Sequence, residues 1–294
     1  MSYKPKVYCA FQFFNEFEIL KLKLEELWNV VDYFVLSESN YTHSGKPKNF
    51  NFMKNEKEFK KYRHKILWQG INDTPSDYIN LKKTGDYWHD QVINKLNAQT
   101  HWDKNIESYG RDSFEKESLI RALGRFVENE DIVILGDCDE IPKASTVKLI
   151  IDNFDHNQIY HMQHDFYWYY MNILKTDEQW LGNFVCSFET FKKNSFCEIR
   201  QNKSGTFVLD AGWHFTYMGG VDRIKEKIES WGEQSLNQPH VKENLKENVK
   251  DTLRLKRDLF FRPANFVKVP IDYATHPQYL VEHMEEYSEF IMKD

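Results

Sequence analysis

The chain has little of several things that would each have assigned it to a class. Only four of its 294 residues are cysteine (Cys9, Cys138, Cys186 and Cys197), and no two form a C-x-x-C pair. That excludes a disulfide-dense scaffold or a zinc ribbon and fits reduced thiols in a cytoplasmic protein. Basic residues are not in excess: 39 Lys and Arg against 45 Asp and Glu give a net charge of −6. No global field therefore draws nucleic acid, which is not an expected partner, and any phosphate group must be held locally. Long apolar runs are missing as well. No stretch approaches the ~18 residues of a membrane span, and "MSYKPKVYCAFQFFNE" at the start lacks an apolar core of signal-peptide length. The expectation is a soluble, unexported chain without a transmembrane segment. Proline and glycine, 8 and 12 in number, gather nowhere into a linker, so no clean domain boundary is marked.

What the chain has in plenty is aromatic: 22 Phe, 16 Tyr and 8 Trp. Most rings of a folded protein are core, yet flat amphipathic rings also stack on sugars and bases. Trp168, Trp180 and Trp213 are candidates for such stacking.

Hydrophobic spacing outlines the architecture. "VYCAFQFF" reads as a strand, and Glu16 and Glu18 open a helix whose Leu20, Leu24, Leu27 and Trp28 share one face. "VVDYFVLSES" reads as a second buried strand, completing a βαβ unit with its ligand end at the strands' carboxyl ends. Residues 39–110 are polar and less regular, as expected of a substrate-covering insertion. "DSFEKESLIRALGRFVEN" predicts a helix, and Asp131 to Leu135 a strand. Residues 158–217 are β-rich and aromatic, and the last 70 or so residues are charged and helical. The expectation is one α/β domain, with a catalytic part over residues 1–220 and a helical C-terminal extension over 221–294 packed on it.

The stretch "VILGDCDEIPKAS", residues 133–145, poses the chemical question. Asp137, Asp139 and Glu140 crowd the exit of a buried strand, where like charges need a partner. A hard divalent cation held by oxygen ligands is one answer. An EF-hand starting at Asp137 fails, because its sixth and twelfth positions are Pro142 and Lys148 instead of Gly and Glu. A haloacid-dehalogenase-type phosphatase also uses D-x-D after a strand, but Glu140 and Ile141 depart from its usual continuation. A glycosyltransferase D-x-D holds Mn²⁺ or Mg²⁺ against a nucleotide-sugar diphosphate. A capped turn with solvated acids is the bland alternative, and a non-catalytic carbohydrate-binding protein would also account for the aromatics.

Three blocks bear on the choice: "FFNEFEILKLKLEELWNVVDYFVLSESNYTHSGKPK" at 13–48, "DCDEIP" at 137–142 and "DAGWHFTYMGG" at 210–220. In order and spacing, over about 200 residues, they resemble glycosyltransferase family 17. The resemblance implies a GT-A-like nucleotide-diphospho-sugar transferase fold with a Rossmann-like mixed sheet. It further implies an inverting, metal-dependent transfer of a sugar, N-acetylglucosamine in that family, from a UDP-sugar donor to a glycan acceptor. Carried over by position, Asn15, Glu16, Glu38, Ser39 and Asn40 fall in the donor-side block, Arg121 matches an upstream arginine, and Asp137, Asp139 and Glu140 form the acidic motif. Gly212, Trp213 and His214 match the third block. The metal is then expected on Asp139, with Asp137 and His214. The base is expected to be Asp210, before "GWHF", or Asp165 in "QHDFYWYY". Arg121 is expected on the uracil or diphosphate, or else paired with Glu117, and Lys46 on phosphate from a loop.

Overall fold

The computed structural model describes residues 3–293. Its centre is a mixed sheet of ten strands. β1 (Val7–Gln12), β2 (Tyr33–Ser39), β3 (Ile66–Ile71) and β4 (Ile132–Asp137) run parallel in the order β3-β2-β1-β4. Strands buried on both faces must be apolar throughout. β1 obeys this: Tyr8 and Ala10 enter one hydrophobic layer, while Val7, Cys9 and Phe11 enter the other. β4 alternates in the same way, with Val133 and Leu135 on one side and Ile132 and Ile134 on the other. One layer is covered by helices Tyr87–Ala98 and Glu107–Glu117, the other by helix Phe17–Leu27, which buries Leu20, Leu24 and Leu27.

Beyond β4 the sheet turns largely antiparallel. β5 (Glu140–Pro142) is a short return strand, followed by β6 (Tyr160–Trp168), β7 (Ile173–Lys175), β8 (Trp180–Ser187) and β9 (Thr206–Thr216). β8 lies against β4, β6 against β8, and β9 runs parallel to β6 and antiparallel to β5. β10 (Phe266–Lys268) pairs with β7 at the edge, so the C-terminal part contributes to the sheet as well as helices. Helix Gly220–Ser230 packs Ile224 and Ile228 into the core beside it.

Three stretches depart from the sequence reading. The polar 39–110 region contains β3 and helix Tyr87–Ala98; the single helix expected over 112–129 is two, Glu107–Glu117 and Leu119–Leu123; and the β-rich stretch is broken by helices Phe188–Lys193 and Phe196–Asn202. All four cysteines are buried free thiols. Among the described residues no helix is long and apolar enough to cross a membrane.

Candidate active site

Asp137 is the last residue of β4 and Glu140 the first of β5, so Cys138 and Asp139 alone make the turn. The turn is held from below by Lys23. Its Nζ donates to the carbonyls of Asp137 at 2.7 Å and Glu140 at 2.9 Å, with the ring of Phe11 4.4 Å away. From the side, Phe215 N donates to Asp139 O at 2.9 Å, tying the turn to β9.

Each carboxylate of the motif meets a cation of the protein itself. Arg200, on helix Phe196–Asn202, forks between Asp137 Oδ2 at 2.9 Å and Glu140 Oε1 at 2.5 Å. Glu140 is fully buried, and also accepts from Trp180 Nε1 at 2.6 Å and from Asp137 N at 2.9 Å. Asp139 Oδ2 takes Lys227 Nζ at 2.7 Å, with His214 Nε2 at 3.4 Å. Burial by itself would raise the Asp137 and Asp139 carboxyls. Lys116 and Arg200 overcome this at Asp137, and Lys227 and His214 at Asp139, so both stay ionised well below the usual carboxylate range. Burial opposes the charge on Lys227 too, but Asp139 and Glu16 outweigh it and hold the ammonium protonated above its ordinary value.

The turn opens into a cavity of about 680 Å³ at the carboxyl ends of β1 and β4. Its floor is charged: Asp137, Asp139, Lys116 and Lys227. Beside it stands an aromatic wall of Phe166, Trp168, Trp180, Tyr217, Trp231 and Phe260. His214 lies flat on Phe166, centroids 4.8 Å apart and planes 7° apart. The indole Nε1 groups of Trp168 and Trp231 are buried and have no hydrogen-bond partner among the described residues. At the other end, Gln12, Phe14, Tyr41, Thr42 and His43 close the cavity, and His43 Nε2 sits 2.9 Å from Glu115 Oε2.

Of the residues expected from the sequence, Glu16, Asp137, Asp139 and His214 line this cavity together. Burial raises the Glu16 carboxyl, which accepts from Phe14 N and Asn15 N. Glu140 stands behind the turn as the anchor of Arg200 and Trp180. The others lie elsewhere. Glu38 is fully buried, bonded to Lys48, Phe52 N and Trp68 Nε1, where it fixes the start of helix Asn51–Asn55. Arg121 forms a two-pronged pair with Asp73 at 2.9 and 2.8 Å, away from both Glu117 and the cavity. Asn15 donates to Glu226 at 2.8 Å on the surface. Lys46, 62% exposed at its side chain, faces Glu229 at 3.7 Å in a neighbouring polar cavity of about 560 Å³.

Asp210 and Asp165, the two expected bases, are off the cavity. Val208 and Gly212 on β9 pair with Met162 and His164 on β6, so four steps of one strand span two of the other. Asp210 lies in that excess chain with φ 49°, its side chain 77% exposed and paired with Lys143. Asp165 precedes Phe166 on β6, and alternation turns it to the face opposite Phe166, beside Trp213 in the neighbouring strand. Trp213 shares that face and donates Nε1 to Thr275 O at 2.8 Å, whereas Trp168 and Trp180 line the cavity.

Residues 1–234 match the sequence profile of glycosyltransferase family 17. The chain belongs to glycosyltransferase family 17. It is similar to the beta-1,4-mannosyl-glycoprotein 4-beta-N-acetylglucosaminyltransferase of Rattus norvegicus, 26% identical over 169 residues covering 56% of this chain and 27% of the relative. The enzyme of the same name from Homo sapiens is 26% identical over 160 residues, 53% of this chain and 26% of the relative. The matched region thus spans about a quarter of the length of these relatives.

The family resemblance implies a divalent metal, for which Asp139 and His214 are donors 3.4 Å apart. Among the described residues no three of His, Cys, Asp and Glu converge as a metal set. Asp139 and His214 do meet, but the oxygen they would share is bonded to Lys227, and Asp137 and Glu140 are both held by Arg200. The arrangement does not fit a metal centre built from the acidic motif.

Sequence reasoning missed the four basic residues that balance this family 17 motif: Lys23, Lys116, Arg200 and Lys227. For three of them the spacing signals that a partner is needed without saying which. Lys23 falls between Leu20 and Leu27 on the apolar face of its helix, Lys227 three residues after Ile224, and Arg200 four after Phe196. A basic residue on a buried stripe must have a polar or anionic partner.

Proposed function

We propose that this family 17 glycosyltransferase moves a sugar, N-acetylglucosamine by analogy with its relatives' names, from a UDP-sugar to a glycan hydroxyl with inversion at the anomeric carbon. The observation that carries the reading is the pairing, in one cavity, of a charged floor with an aromatic wall at the carboxyl ends of parallel strands. That is where open α/β sheets bind nucleotides, and the β3-β2-β1-β4 order is that of a mononucleotide-binding half. Both features support a GT-A-like fold.

In this reading the nucleoside lies at the end formed by Gln12, Phe14, Tyr41 and His43. The diphosphate lies over Lys116 and Lys227. The transferred sugar stacks on the aromatic wall. Inversion requires one base for the acceptor hydroxyl and a stabiliser for the leaving diphosphate. We place the base at Glu178, which lines the cavity two residues before Trp180 and pairs with Lys175 at 2.6 Å.

Incubation with UDP-N-acetylglucosamine and other UDP-sugars, with release of UDP as the readout, tests the reading. A carbohydrate-binding protein releases none, and a phosphatase instead cleaves p-nitrophenyl phosphate. Glu178→Gln is expected to keep UDP binding and to lose transfer by a factor of roughly 10² to 10⁴; unchanged turnover moves the base elsewhere.

A further inference from the structure

Lys227 stands where a divalent cation would have to stand. Its Nζ is 2.7 Å from Asp139 Oδ2, the oxygen that His214 Nε2 approaches at 3.4 Å, and 3.2 Å from Thr216 Oγ1. An ion ligated by Asp139 and His214 would lie about 2 Å from each, within close reach of the ammonium. At such separations like charges repel strongly. Ammonium and metal compete for one oxygen.

The lysine is held in place and does not swing freely. Four residues before it, on the same helix, Arg223 grips Glu18 with both fork nitrogens at 2.6 and 2.8 Å. Ile224 and Ile228 bury the helix face on which it sits, and the ring of Tyr217 lies 5.3 Å from its ammonium. Its tip nevertheless opens into the cavity, between the acidic turn and the aromatic wall.

We infer that Lys227 is the resident cation of this site and stabilises the departing diphosphate, so that transfer proceeds without a divalent metal. The inference rests on the transferase reading above. Asp139 is then a positioning residue, which aims the ammonium at the phosphates. In the step itself the acceptor oxygen forms its bond to the anomeric carbon as the bond from that carbon to the diphosphate oxygen breaks. The electron pair leaves on that oxygen, facing Lys227, and the acceptor proton passes to the base carboxylate. Atoms and charge balance with no further reactant.

The test is calorimetric binding of UDP in EDTA and in Mn²⁺, on wild type, Lys227→Met and Lys227→Arg, with melting curves to check folding. Wild type is expected to bind UDP equally in both buffers, within roughly threefold. Lys227→Met is expected to lose roughly tenfold or more in EDTA, and Lys227→Arg to recover most of that by keeping the charge. Electron paramagnetic resonance of Mn²⁺ supplies a second readout: wild type leaves the free-ion signal intact, while Lys227→Met, with Asp139 and His214 released, depletes it. UDP binding by wild type only with Mn²⁺, or Lys227→Met and Lys227→Arg both binding UDP as wild type does, overturns the inference and leaves the transferase reading standing. Failure of wild type to bind UDP or any UDP-sugar in either buffer overturns both.

Discussion

Arg200 donates from Nη1 to Asp137 Oδ2 at 2.9 Å across 63 residues of sequence, and its second nitrogen reaches Glu140. Removing it would leave two poorly solvated carboxylates facing each other. Arg200→Met is therefore expected to lower folding stability by about 3–5 kcal/mol. Arg200→Lys should recover only part, because a point charge cannot fork between two carboxylates. Urea denaturation at pH 7 measures both, and a loss below about 1 kcal/mol for Arg200→Met would show that the pair is not buried as described.

Asp210→Asn should be nearly silent. The side chain is exposed and its ion pair with Lys143 is of the kind that contributes little. Asparagine also tolerates the left-handed backbone found there, φ 49°. UDP release within roughly twofold of wild type is expected, and a large loss of turnover would return Asp210 to the chemistry.

His164 predicts a pH dependence. It is 1% exposed, and neither ring nitrogen has a hydrogen-bond partner among the described residues. Burial, reinforced by nearby His214, Lys23 and Arg200, pushes its pKa well below the ordinary value. The folded state thus keeps the ring neutral while the unfolded chain titrates at about 6.5. The contribution is fully present above that pH and declines below it, by about 1.4 kcal/mol per pH unit. His164→Gln should flatten the loss of stability between pH 7 and pH 5. An unchanged slope would assign the titration to another group.

Gly136→Ala tests the packing under the acidic turn. A Cβ there would lie 2.0 Å from Asn183 Nδ2 and 2.7 Å from Glu140 Oε2. A stability loss of about 1–3 kcal/mol is expected, together with weaker UDP binding as Glu140 shifts and loosens Arg200. A melting temperature unchanged from wild type would contradict the close approach.

The sequence carried the site's acids but not their counterparts. "IVIL" followed by Asp137, Asp139 and Glu140 was legible because a buried parallel strand is apolar throughout and its exit is abrupt. Glu16 and His214 came with the family blocks. Lys116, Arg200 and Lys227 were not legible as partners, since each arrives on a different helix and only the fold brings them to the turn. Asp210 misled for a different reason. It was chosen for its place just before "GWHF", and the excess residues between Val208 and Gly212 that carry it away from the cavity leave no mark in composition. β3 was hidden by its own chemistry: "ILWQGI" is half-buried at the sheet edge and reads as part of a polar loop.

The wide sequence separation of these contacts bears on how the molecule is born. As the chain leaves the ribosome, Lys23 precedes the acidic turn, and Arg200 follows Glu140 by 60 residues. Asp139 waits longest, for Lys227 lies 88 residues downstream. Until helix Gly220–Ser230 docks, Asp139 is without its ammonium partner. The arrival of that helix completes the set of cations around the turn, so the charge balance of the site depends on the last of its elements to leave the ribosome.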